Sequence, residues 1–550
     1  MSQSEWENLA SLLSVAAGVI TALILATGLI PRSSIEAVER IFRIASNRPL
    51  ICGISVAALS LVVNALVTMH RGVPQPLIHD EFSYLLAADT FAHGRITNPS
   101  PPYWVHLETP QQLMRPTYMS KYPPGQGLAL ALGQVLTGKP IVGAWLSTAA
   151  AVAAIYWMLL GFVSGPWALL GGLLTALQPQ LVDWSQVYWG GSVAVIGSAL
   201  LIGSWGRLML TISTAACIIL AMGLIVLANT RPFEGLVLSV PLIISLVRYQ
   251  RQKWRTIVVA AGVPLLLATI AMGYYNFRIT GRIFRIPYLE YASQYEIYPK
   301  FWLMPPRTAP VYRNGAMEFI HRYFEKNAYA GFSTMSGALE QSKYRFNVLF
   351  TTLASQAVLL LPLVAAILMR KELRVRWIFI AGALFVAALW TEIFVFNHYL
   401  APLLPAAIVL ILIGWRNMHG WSWRGRPIGR GLALAVAVGF FTGAVMAVAQ
   451  PKFRDPDMLD QQSTAALFPQ LNQGRHVIFV SYSEMHSYHA ELVHNLSDLQ
   501  ASRILWMRDR GDESNREVAA LFSDRQIWLM HVGGTIELKP FQQGKDGGKP

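Results

Sequence analysis

Many stretches of this chain are apolar for long enough to cross a lipid bilayer, and that restricts its fold more than any other feature. A membrane-crossing helix needs about 20 mostly apolar residues, because in hydrocarbon the backbone must bond to itself. The rule selects residues 9–30, 50–69, 140–162, 166–181, 190–205, 208–228, 233–248, 256–277, 347–369, 377–396, 400–415 and 431–449, which predicts an α-class, polytopic helical membrane protein with about twelve transmembrane helices. Composition agrees, since 54% of the 550 residues are hydrophobic and only 13% are charged, unlike an ordinary soluble domain.

The formal net charge of +14 could indicate nucleic acid, but the basic residues sit in short clusters between apolar runs, where membrane topology places them. One alternate set of loops carries Arg32, Arg40, Arg43 and Arg48; Arg248, Arg251, Lys253 and Arg255; Arg370, Lys371, Arg374 and Arg376; and Arg416, Arg424, Arg426 and Arg430. The positive-inside rule makes these loops cytoplasmic and puts the N-terminal octet, the large loops 70–139 and 278–346, and everything after 450 outside. The first apolar run follows acidic MSQSEWEN with no basic segment before it, so it reads as a span and not as a cleaved signal peptide. Cys52 and Cys217 lie within apolar runs and offer neither a disulfide framework nor a thiolate metal site. Neither a P-loop nor a dinucleotide fingerprint is present, which argues against ATP-driven transport and redox chemistry.

Residues 1–450 thus read as a transmembrane domain whose outer loops form the site, and 451–550 as a small outer α/β domain with a disordered QQGKDGGKP tail. HVIFVSYS, SRILWMRD and QIWLMHV have strand character, whereas HAELVHNL and DESNREVAALF have helical character. The role of this domain divides evenly between a structural cap and acceptor recognition. HNLS matches a glycosylation sequon, a three-residue pattern of low specificity.

Ionisable residues within or beside spans are functional candidates, since they cost about 2.5–3.5 kcal/mol at a helix centre on insertion scales. Here they gather at the outer ends. Asp183 precedes WSQVYWGG, Arg231 and Glu234 lie in NTRPFEG, Glu392 and His398 lie in TEIFVFNHY, and His79, Asp80, Glu81 and Lys121 lie in the first outer loop. Each has a structural alternative. Asp80 and Glu81 could serve only as first-turn acids of an amphipathic helix, and being adjacent they would point about 100° apart, so that one of them addresses a substrate. Lys121, in SKYPPGQG, could snorkel; Arg231 and Glu234 could pair across a turn; His398 and Tyr399 could be interfacial anchors; YWGG could be a close helix crossing. His79 lacks an HxxxH or DxD partner and is weak as a metal ligand.

A carboxylate with several cations at an outer membrane face suits a sugar linked to a lipid phosphate. The carboxylate takes a proton from the attacking hydroxyl while cations stabilise the departing phosphate. Trp104, Tyr118, Tyr122, Tyr188 and Trp189 offer flat faces to a sugar ring. IHDEFSY after a span, KYPPGQG, YWGG, NTRPFEG and NHYLAPLLP together resemble the bacterial membrane glycosyltransferases of the GT-C superfamily, in the branch related to protein O-mannosyltransferases and aminoarabinose transferases. The resemblance covers roughly residues 50–415, and the acidic pair is its most specific part.

The resemblance implies an inverting transfer from a polyprenyl-phosphate sugar to an acceptor hydroxyl of a glycan, lipid or protein, at the periplasmic face of a bacterial inner membrane. Asp80 is then the base, Glu81 its neighbour that holds the acceptor or tunes the aspartate, and Lys121, Arg231 and His398 contact the donor phosphate. The family pattern has an arginine before the tyrosine of the late motif, where this chain has His398. His79, Tyr122, Asp183, Tyr188, Trp189, Glu234, Glu392 and Tyr399 are the further substrate-binding candidates. No cofactor is required, although some GT-C enzymes use a divalent cation. The rival readings are a transporter or flippase of a lipid-linked sugar, a non-catalytic assembly subunit, and a polymerase or ligase using a pyrophosphate-linked donor. The length and tyrosines of IPYLEYASQYEIYP, in the loop 278–346, suggest that this segment closes over the donor.

Overall fold

The computed structural model describes residues 3–27, 32–354, 356–368, 372–451, 458–484 and 486–541. The QQGKDGGKP tail and the Arg370–Lys371 pair lie outside them. Two compact units emerge, each assembled from separated parts of the chain: residues 1–74, 141–271 and 331–453 in the first, and 75–140, 272–330 and 454–550 in the second.

Among the described residues each predicted span overlaps a helix. Among the described residues seven helices are long and apolar enough to cross a membrane, and an eighth results if Met335–Leu353 and Ala357–Leu368, bent by 84°, count as one span. Gly165–Ala176, Ser192–Leu208 and Thr214–Ala228 are apolar but shorter. Asn397–His419 has 89% of its apolar window buried and runs through the interior, whereas Pro49–Arg71 has 33% buried and turns most of its surface outward. Trp184, Trp205, Trp415, Phe385 and Phe440 fill the interior.

Two of the four basic clusters meet at one end of these helices. The basic stretch 32–48, read as a loop, forms the amphipathic helix Arg32–Ala45, whose Glu39 meets His419 at 3.0 Å and Arg430 at 3.8 Å, so two basic clusters share one end. At the other end Trp6 donates to the Met446 carbonyl at 3.0 Å, and Arg71 donates to the carbonyls of Ala447 (2.7 Å) and Gln450 (2.9 Å). These donors satisfy carbonyls that a helix C-terminus leaves without an intrahelical partner.

The second unit begins with the helix His79–Ala92, which packs on the helix Pro124–Thr137. Gly127 permits the approach, since a Cβ there would lie 2.8 Å from that of Ala87. Between them β1 (Asn98–Pro99), β2 (Gln112–Leu113) and β3 (Thr117–Ser120) form a small antiparallel sheet in the order β1-β3-β2. The three predicted C-terminal strands form as β4 (His476–Tyr482), β5 (Ile504–Arg508) and β6 (Gln526–Val532), and β7 (Ile536–Pro540) adds an antiparallel edge. Their order is β5-β4-β6-β7, with β4 central and parallel to both neighbours. Val477 and Phe479 of β4 share a core with Leu86, Leu107 and Tyr118, so this sheet and the segment 75–140 bury one another's apolar faces.

DESNREVAALF is helical over Asp512–Ala519, but HAELVHNL is not a helix. Side chains capture its backbone instead: Leu492 N donates to the Tyr482 hydroxyl (2.9 Å), Val493 N donates to the Glu491 carboxylate (2.8 Å), and Gln461 donates to the carbonyls of Leu492 and His494, both at 2.7 Å. Asn495 of the HNLS sequon is buried and spends its amide on both backbone groups of Trp506.

Candidate functional site

His79, Asp80 and Glu81 start a helix, where backbone N–H groups and the macrodipole favour acids. The two carboxylates diverge as adjacent helical residues must. Glu81 turns back and accepts from Leu77 N at 2.9 Å, while Asp80 Oδ1 accepts from the Tyr122 hydroxyl. The Tyr122 ring stacks on Tyr84 with centroids 4.5 Å apart. Burial, reinforced by the Asp80 charge, holds the Tyr122 phenol well above its ordinary pKa, so it stays a donor and orients the carboxylate.

Lys121, the residue before Tyr122, is buried. Its Nζ lies 3.3 Å from Glu296 Oε1 and over the rings of Tyr291 (4.5 Å), Tyr288 (4.7 Å) and Tyr122 (5.5 Å). A buried ammonium requires such a setting, with an opposite charge and the negative faces of aromatic rings replacing water. Tyr288 and Tyr291, at i and i+3, come from the helix Pro287–Tyr295, with Glu296 just past its end. Beneath the Lys121 cage the Tyr291 hydroxyl accepts from Gln111 N (2.9 Å), leaving its proton for His321 Nε2 (2.9 Å), while His321 Nδ1 faces Glu325 at 2.9 Å.

His79 Nε2 lies 2.9 Å from the Tyr488 carbonyl, which only accepts, so this nitrogen carries the proton. Burial pulls the His79 pKa below its ordinary value, against the opposing charge of Glu491. Farther along the same helix Phe82 stacks on His494 at 3.6 Å, and Asp89 accepts from Ser497 N at 2.9 Å. The segment 488–497 thus follows the Asp80 helix along its length. Arg508 and Glu491 anchor that segment through a buried ion pair at 2.5 Å; burial alone would raise the Glu491 pKa, but Arg508, His79 and the hydrogen bonds from Tyr482 and Val493 together turn the net shift downward. Trp104 carries two cations on its ring faces, Arg313 at 5.1 Å and Arg115 at 5.4 Å, and the buried Tyr118 donates to the Asn495 carbonyl at 2.7 Å.

The remaining candidates belong to the first unit. Arg231 lies 3.8 Å from Glu234 and over the Tyr399 ring at 4.5 Å; His398 packs on Tyr399 (5.0 Å) and on Trp189 (5.6 Å). Five of the predicted residues therefore form one contiguous group. YWGG supplies Trp189 through a turn that only glycine tolerates, since Gly191 has φ of 147° and a Cβ there would lie 2.4 Å from the Trp184 ring. Asp183 faces Arg71 at 3.7 Å, and Tyr188 donates to the Pro74 carbonyl at 2.9 Å. Glu392 is buried, and its carbonyl accepts from Arg345 at 2.6 Å.

Sequence reasoning passed over Glu296, Tyr84, His321, Glu325 and Arg345. The signal for Glu296 was the tyrosine spacing in IPYLEYASQYEIYP, a helical aromatic stripe ending in an acid. Arg345 donates to the carbonyls of Leu389, Glu392 and Ile393, which end the helix Leu373–Leu389, and no local pattern announces that partnership. Among the described residues no group of three or more His, Cys, Asp or Glu side chains is arranged to hold a metal ion.

No family model and no curated protein matches the chain. Solved structures do. The aminoarabinose transferase ArnT from Cupriavidus metallidurans in the apo state aligns with a TM-score of 0.49 at 13% identity, covering 88% of this chain and 93% of that one. ArnT bound to undecaprenyl phosphate aligns with a TM-score of 0.49 at 12% identity, covering 87% and 92%. The apo oligosaccharyltransferase of Archaeoglobus fulgidus aligns with a TM-score of 0.47 at 10% identity, covering 87% and 69%.

Proposed function

We propose that this chain is an inverting glycosyltransferase that moves a sugar from a polyprenyl-phosphate donor to an acceptor hydroxyl at the outer face of a bacterial inner membrane. The observation that carries the reading is the pairing of roles in adjacent residues: Tyr122 orients the Asp80 carboxylate, while Lys121 holds a buried positive charge in a cage of tyrosine rings. An ordinary soluble surface has no use for a desolvated ammonium, but a lipid phosphate leaving a sugar does.

In the reaction the acceptor oxygen forms a bond to the anomeric carbon as the bond from that carbon to the phosphate oxygen breaks. Attack from the face opposite the phosphate inverts the centre. Asp80 takes the hydroxyl proton through Oδ2, because Tyr122 occupies Oδ1. Glu81, tied to the Leu77 amide, fixes the start of the helix and so the position of Asp80. The phosphate gains charge as it leaves, and Lys121 meets it by exchanging Glu296 for the new anion. In the first unit Arg231 and His398, grouped with Trp189, Tyr399 and Glu234, have the charge and ring faces to contact a donor phosphate by themselves, and Asp183, Tyr188 and Glu392 support that unit from their contacts with Arg71, Pro74 and Arg345.

The experiment is transfer of labelled sugar from a pool of polyprenyl-phosphate sugars by membranes carrying the wild-type chain, with the anomeric configuration of the product read by NMR. Inverted product supports the reading. A retained configuration excludes single displacement, and label that crosses the membrane still attached to its lipid identifies a flippase.

A further inference from the structure

The geometry points to an acceptor subsite contributed by the C-terminal segment: the rings of Tyr488 and His489, with Phe319 and Phe324, form a platform for a pyranose ring of a carbohydrate acceptor. The inference rests on the proposed transfer reaction and specifies its acceptor. Tyr488 stacks on Phe319 at 4.8 Å, and His489 stands edge-on to Phe324 at 5.1 Å and to Phe319 at 6.2 Å. Phe324 is 36% exposed, and Tyr488 and His489 are partly so, which leaves the platform accessible.

Two links tie this platform to Asp80. His79, the residue before Asp80, donates to the Tyr488 carbonyl, and its ring lies 6.4 Å from that of His489. The Asp80 charge also acts on His489; burial dominates, however, and lowers the imidazole pKa. A neutral imidazole both donates and accepts, as a sugar hydroxyl does. The four rings carry no net charge, and their faces and edges suit a ligand with C–H faces and hydroxyl edges. A pyranose stacked on it presents hydroxyl groups toward the residue that removes the proton.

The test uses the full chain in lipid nanodiscs and a panel of methyl α-pyranosides of gluco, manno and galacto configuration, read by saturation-transfer NMR. At least one glycoside is expected to receive saturation on its ring protons with the wild-type chain. Its affinity should fall at least about tenfold in both His489→Ala and Phe324→Ala, with melting temperatures recorded for each. The exposed Phe324 keeps the test valid if the histidine variant fails to fold. The proposal is overturned if no glycoside receives saturation, if affinity in Phe324→Ala stays within twofold of wild type, or if a threonine-containing peptide binds there in their place. Donor consumption by the wild-type chain is measured separately: its absence removes the transfer reading, while the glycoside result judges the platform.

Discussion

Lys121 and Arg231 are set in the same chemistry by different means. Each cation faces a carboxylate and lies over a tyrosine ring, Lys121 with Glu296 and Tyr291, Arg231 with Glu234 and Tyr399. The Arg231–Glu234 pair is three residues apart at the start of the helix Pro232–Tyr249, where local geometry nearly guarantees the contact. Lys121 and Glu296 are 175 positions apart and both buried, and meet only because residues 75–140 and 272–330 fold into one unit. A local pair survives independently of the rest of the fold, whereas a long-range buried pair depends on that fold and marks where folding energy has been committed.

Removing one partner of each pair separates these cases. Lys121→Met leaves Glu296 buried without its cation and should cost about 3–5 kcal/mol of stability in denaturant titrations of the second unit; Lys121→Met with Glu296→Leu should recover most of it, since an apolar pair of similar volume is tolerated there. If the single variant is as stable as wild type, the pair is incidental. Asp80→Asn preserves shape and the Tyr122 contact but removes the base, and transfer should fall at least about a hundredfold at unchanged protein level. Equal rates would show that another group takes the proton.

Acid sharpens the contrast on the side of the second unit. Burial pulls the His494 pKa down to about 3, with Glu491 opposing. The unfolded chain, near its ordinary 6.5, takes up the proton first, so the stability His494 contributes is full above about pH 6.5 and is lost as pH falls toward 3. By pH 5 the loss is about 2 kcal/mol, and His494→Phe, which keeps a ring on Phe82, should reduce the acid sensitivity of the melting temperature. Of the two pairs the local one has the smaller effect. Arg231→Met leaves Glu234 buried too, but in the first turn of its helix, where the N-terminal N–H groups still favour an anion and offset part of the loss, so it should cost about 2 kcal/mol. A loss as large as that of Lys121→Met would remove the distinction.

The sequence by itself marked the apolar stretches that overlap the helices of the first unit, because hydrocarbon permits only self-bonded apolar helices. It also determined the divergence of Asp80 and Glu81, a consequence of helical rotation between neighbours, and the three strands of the C-terminal region, whose parallel pairing came only with the fold. HAELVHNL shows where local reasoning stops: its helical pattern lost to Tyr482, Gln461 and Glu491, whose side chains satisfy the same backbone groups. The tertiary structure alone decided that Glu296 faces Lys121, that Arg345 ends a helix 44 positions away, and that segment 488–497 runs along the Asp80 helix. Contacts within one turn follow from periodicity, which the sequence displays. Contacts across hundreds of residues depend on which buried polar group reaches which partner once the apolar surfaces have closed, and that is settled only in three dimensions.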